Sequence, residues 1–202
     1  MLFITRSDER PAGYVHLSIA NAWTTWLNRN IPAGLHADVR HRLNSNLRHL
    51  LVGLELKAAL INPHEHRAHN DPSALFEPYF QNLIMEFGVA AFSVLEGLGS
   101  AHWLDQNGHD GGNPVKINRD EWRAALFATY DPNGEHGFDG DVVRTLAVRD
   151  LLHQDKLGAR ENIDWHAMTY EAAFEPASRA IRTLLRREAD VVPAATNLNL
   201  EP

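Results

Sequence analysis

An apolar stripe through residues 74–104 constrains this chain more than any other feature. Leu75, Phe76, Tyr79, Phe80, Leu83, Ile84, Phe87, Ala90, Ala91, Val94, Leu95 and Leu98 recur every three to four residues, the period of an α-helix. The stripe is wider than the seam between two helices requires, so this helix belongs at the centre of a bundle. A second long helix carries Leu35, Val39, Leu43, Leu47, Leu50, Leu51, Leu54, Ala58 and Ile61 at the same period and stops at Asn62-Pro63. Two helices of this length and pattern predict an all-α fold.

The remaining segments fit around them. Ile19, Trp23, Trp26 and Leu27 predict a first helix over about 18–29, broken by Pro32 and Gly34. Phe3-Ile4-Thr5 reads as a short strand, and Tyr14 to Leu17 as another or as a lead-in to the helix. Asn118, followed by Asp120 and Glu121, caps a fourth helix over about 118–130. A fifth covers about 138–153. Asp164 caps a sixth over about 165–188, in which Pro176 introduces a bend. The five tryptophans are expected to fill the ends of the core. The expected architecture is a single-domain bundle of five to six helices over 1–188, with the second, third and sixth long. A flexible tail is expected over 189–202.

Composition narrows the function classes. The chain has 202 residues and no cysteine, which removes disulfides, thiolate catalysis and cysteine-ligated metals. Its net charge of −7 counts against a broad nucleic-acid surface, though not against a local basic patch. The first ten residues turn charged too early for a secretory signal. No run of 18 apolar residues predicts a membrane span. A cytoplasmic protein is the expectation.

The fifth helix ends with Arg149, Asp150 and His153. At ~100° per residue, Val142, Leu146, Arg149 and His153 fall within about 60° of one another. An arginine and a histidine so placed suit phosphate binding and proton transfer. They equally suit a packed interior in which both satisfy carboxylates or helix-end carbonyls. His64, Glu65, His66, His69 and Asp71 form a second cluster with donors suited to zinc, nickel or copper. Pro63 and Pro72 bracket it as a loop, and no resident metal or cofactor is expected. Asp131-Pro132-Asn133-Gly134-Glu135 lacks the register of a calcium loop, because His136 stands where the sixth-position glycine belongs. Gly97 and Gly99 have no preceding strand or following lysine and suit close helix packing instead of a phosphate loop. Arg40, His41, Arg42, Arg48 and His49 on the second helix form either a phosphate-contacting patch or a solvated face.

The run Arg149-Asp150-Leu151-Leu152-His153, behind a helix carrying Glu96 in Phe92-Ser93-Val94-Leu95-Glu96-Gly97-Leu98, resembles the HEPN superfamily over about 80–155. Those helical bundles carry an arginine, a polar residue, a short spacer and a histidine, and many dimerise and cleave RNA without metal. The resemblance implies Arg149 as the motif arginine, Asp150 as the polar residue and His153 as the histidine. It implies Glu96 as the polar residue some members place on the facing helix. The spacer is shorter than the family's four to six residues. Arg160 and His166 have the family spacing but fall in a loop and cap. Two expectations follow. One is a homodimeric, metal-independent ribonuclease, or a degenerate relative associated with RNA or a nucleotide. The other is a non-enzymatic helical protein-interaction module in which Arg149 and His153 are structural.

Overall fold

The computed structural model describes residues 3–5, 14–61, 79–151, 165 and 168–199. Two short strands, β1 (Phe3–Thr5) and β2 (Tyr14–His16), pair in parallel with Phe3 opposite Tyr14. A 3₁₀ turn, Ala20–Trp23, leads into α1 (Thr24–Asn30). The long helices α2 (Ala37–Ile61) and α3 (Tyr79–Gln106) follow, then α4 (Arg119–Tyr130) and α5 (Phe138–Asp150). A π turn, Tyr170–Phe174, runs directly into α6 (Glu175–Arg186). The protein is an all-α bundle with the small β pair beside it.

α3 is the centre, as its stripe predicts. It packs against α2, α4, α5 and α6, and Ile84, Phe87, Ala91, Val94, Leu95 and Leu98 are fully buried. Burying each of the large aliphatic or aromatic side chains contributes about 1.5–3 kcal/mol, so this helix supplies a large part of the core. By length and composition α3 is also apolar enough to cross a bilayer, but 56% of its most apolar window is buried inside the bundle. From α2, Leu47, Leu51, Leu54 and Ile61 face it. From α6, Ala177, Ala180, Ile181 and Leu184 close the other side. Trp23, Trp26 and Trp122 lie in the core as expected, whereas Trp165 is exposed.

Local chemistry sets the element ends. Asn118 Oδ1 accepts from the Glu121 amide at 3.0 Å, and Glu121 Oε2 accepts from the Asn118 amide at 2.8 Å. This reciprocal cap satisfies two of the amides that a helix start leaves without partners. Pro176 is the second residue of α6. Lacking an N–H, it donates nothing to the carbonyl four residues earlier, and the chain immediately before it takes the wider π turn. Residues 189–199, expected as a tail, pack onto the bundle. Thr196 and Leu198 are buried, and Asn197 Nδ2 donates to the Glu55 carbonyl at 3.0 Å.

Candidate functional site

Arg149 occupies the last turn of α5, with Val142 and Leu146 buried on the same side of the helix, the shared face the spacing predicts. Its guanidinium lies 5.1 Å from the centre of the Phe92 ring. Its Nη1 donates to Asp150 Oδ1 at 3.1 Å. Asp150 also receives both terminal nitrogens of Arg119, at 3.1 and 3.2 Å. Phe92 is itself braced edge-to-face by Trp122, with ring centres 5.8 Å apart. Arg149 therefore sits in a layered contact: indole, phenyl ring, guanidinium, then a carboxylate shared with a second arginine. Its side chain is 28% exposed. Glu96 is exposed one turn beyond Phe92, without an ion pair or side-chain hydrogen bond among the described residues. The α3 side chain that meets Arg149 is thus Phe92. His153, Arg160, His166 and the His64–Asp71 cluster lie outside the described residues.

The basic residues of α2 divide into different environments. Arg40, His41 and Arg48 line a groove of about 390 Å³ together with Asn44 and Ser45 of the same helix and Thr24 and Asn28 of α1. Arg42 lines a different depression, beside Gly111–Val115, and His49 is exposed. Helical geometry explains the division. Arg40, Asn44 and Arg48 recur at intervals of four, whereas Arg42 and His49 lie ~160–180° around the helix from Arg40. Asn44 Nδ2 donates to Asn28 Oδ1 at 2.9 Å across the groove, and Arg48 Nη1 donates to Asn21 Oδ1 at 3.0 Å. The Nε atoms of Arg40 and Arg48 are enclosed without a hydrogen-bond partner among the described residues. No aspartate or glutamate among the described residues lines the groove. The loop Asp131–Glu135 is committed elsewhere: the Asp131 carboxylate accepts from the amides of Glu135 and His136 at 2.9 and 3.3 Å.

Two buried polar clusters escaped the sequence reading. In the first, His102 Nε2 lies 3.3 Å from Tyr130 Oη, which donates to Asn30 Oδ1 at 3.2 Å, while Asn30 Nδ2 donates to the Trp26 carbonyl at 2.9 Å. Burial, helped by the nearby Arg187 cation, pushes the His102 pKa down to about 4 against the opposing pull of Asp105 and the Asn30 backbone. Burial also raises the Tyr130 hydroxyl. Both side chains are therefore neutral near pH 7.

The second cluster centres on Glu55, which is fully buried. The Ser18 amide donates to its Oε2 at 2.6 Å. Burial raises its pKa, opposed by polar groups of Thr196, Ser18 and Trp23. Those groups compensate incompletely, because Glu55 Oε1, Ser18 Oγ and Trp23 Nε1 each lack a hydrogen bond among the described residues. A raised carboxyl pKa stabilises the fold fully below the unfolded value, and that contribution is lost as pH rises through the folded value. Glu55→Gln removes the charge and keeps the shape. We expect it to raise the melting temperature at pH 8 and to change it little at pH 4. A lower melting temperature at pH 8 would show that the ionised carboxylate is the stabilising form.

Comparison with protein families, with characterised proteins and with solved structures finds no match for this chain.

Proposed function

We propose that this protein is a helical binding module in which Arg149 is a structural side chain. The engagement of Arg149 carries this reading. A guanidinium recognises phosphate through its fork of donors, and a carboxylate on that fork is a competitor. Here the group is stacked on Phe92 and bonded to Asp150, which Arg119 also holds. A phosphate at this position would compete with a carboxylate already in place. The setting we infer is cytoplasmic, with the long apolar α3 enclosed by other helices as a core element.

The test is incubation of a mixed-sequence RNA with purified protein under excess chelator, beside Arg149→Met and His153→Ala. We expect no cleavage by any of the three. We further expect Arg149→Met to cost about 1 kcal/mol of stability, the scale of a partly buried cation–π contact and ion pair. Chelator-resistant cleavage that disappears in both variants would replace this reading with a HEPN-like ribonuclease.

A further inference from the structure

The groove between α1 and α2 has the makings of an anion site, and we propose that it binds a small phosphate monoester. The inference goes beyond the reading of Arg149 and does not depend on it. Two arginines and a histidine converge there on a chain whose overall charge is −7, and no carboxylate among the described residues lines the groove. A partly enclosed cation is costly unless an anion or hydrogen-bond acceptors compensate it. Three other half-buried arginines have such partners, and Arg187 lies over the Tyr130 ring. Arg179 is bonded to both oxygens of Asp141 and paired with Glu175. Arg123 is paired with Asp139. Arg149 is paired with Asp150. Arg40 makes no side-chain hydrogen bond or ion pair among the described residues. Arg48 has only the neutral amide oxygen of Asn21 among the described residues.

The surrounding donors favour phosphate. A guanidinium offers a planar fork that matches two phosphate oxygens. Hydroxyls from Thr24 and Ser45 and the free amide hydrogens of Asn28, whose oxygen is taken by Asn44, add neutral donors from both helices. The volume of about 390 Å³ falls at the lower end of small-ligand sites, room for a phosphate and a compact organic group. A long polyanion fits less well. The next cation along α1, Arg29, is held between Glu188 and Asp190 at 2.9 Å each, so a strand leaving the groove on that side meets acid.

Calorimetric titration of the full chain at constant ionic strength tests this, with inorganic phosphate, glucose 6-phosphate and adenosine monophosphate as probes. We expect saturable binding at one site per chain. Arg40→Ala should weaken it at least about tenfold, the scale of a lost charge-assisted hydrogen-bond pair. Arg144→Ala, which removes an exposed cation on α5, should leave affinity within about twofold. If Arg40→Ala melts early, Arg40→Gln removes the same charge with more of the stem retained. Tighter binding of one monoester than of inorganic phosphate would identify the organic group that the groove accepts. Equal affinities would assign recognition to the phosphate alone. Absence of binding to all three probes by folded protein overturns the proposal, as does full affinity in the folded Arg40 variants. Either result would leave the RNA cleavage test of Arg149 untouched.

Discussion

Gly99→Ala is expected to destabilise the protein by about 3 kcal/mol, at the upper end of what overpacking a core costs. A Cβ at this position would lie 2.6 Å from the Trp122 carbonyl oxygen and 2.8 Å from Trp122 Cε3. The oxygen belongs to the backbone of α4 and cannot swing aside, so the two helices must separate. Gly97, two residues earlier, makes the control. Its Cβ would meet Leu47 Cδ2 at 3.2 Å, the end of a side chain that can shift. Alanine also favours a helix over glycine by about 1 kcal/mol. Gly97→Ala should therefore be near neutral or stabilising. Denaturant midpoints for the two variants provide the check. A neutral Gly99→Ala would mean that α3 and α4 do not approach as closely as the structure places them. The stakes extend to the candidate site, because Trp122 braces Phe92 under Arg149 and α4 carries Arg119 to Asp150.

Acid should weaken the fold well before carboxylates are exhausted, and His102 should account for much of the loss. The folded protein holds this imidazole at a pKa of about 4, against 6.5 for an ordinary histidine. Between these values the unfolded chain takes up a proton that the folded chain refuses. The contribution is thus fully present above pH 6.5 and disappears as pH falls to about 4. At 1.36 kcal/mol per pH unit the loss approaches about 3 kcal/mol. Glu55 acts in the opposite sense, since its raised carboxyl pKa favours the fold at low pH, and it will offset part of the slope. The measurement is unfolding free energy from pH 7 to pH 4 for the parent protein and for His102→Gln. The variant should show a flatter profile whatever its stability at pH 7. Parallel profiles would show that His102 does not carry the pH dependence.

The parts of the fold that could be read from sequence are those set by local repetition. The stripes of α2 and α3 needed only helical periodicity, and Asn118 with Glu121 announced the start of α4. The sorting of Arg40 and Arg48 from Arg42 and His49 was legible in principle, because positions at intervals of four share a face. Treating the five as one patch hid it. Tertiary pairings were not legible. Tyr130 reaches Asn30 across 100 residues, and Asn197 reaches Glu55 across 142. No local pattern marks either contact. Nor does spacing reveal that Arg149 stacks on Phe92. That depends on the register of α5 against α3, where Gly88 lets Val148 approach to within 2.9 Å of its notional Cβ. Residues 189–199 looked like a tail because their apolar side chains have no helical or strand period. Burial of Leu198 and Thr196 depends on a receptor surface made by earlier helices.

The Glu55 cluster bears on how the protein is made. Its carboxyl is covered by Ser18 from one side of the sequence, and its backbone carbonyl is bonded by Asn197 from the other. While the chain is still being synthesised, α1, α2 and α3 can emerge from the ribosome and begin to pack. The acid in the C-terminal half of α2 lacks part of its cover until residues 196–198 have been released. Contacts of such sequence separation are slow to form, because the loop entropy is lost before the contact compensates it. Nascent protein should therefore linger as a loosely closed helical assembly and become fully protected only once residues 196–198 have joined it.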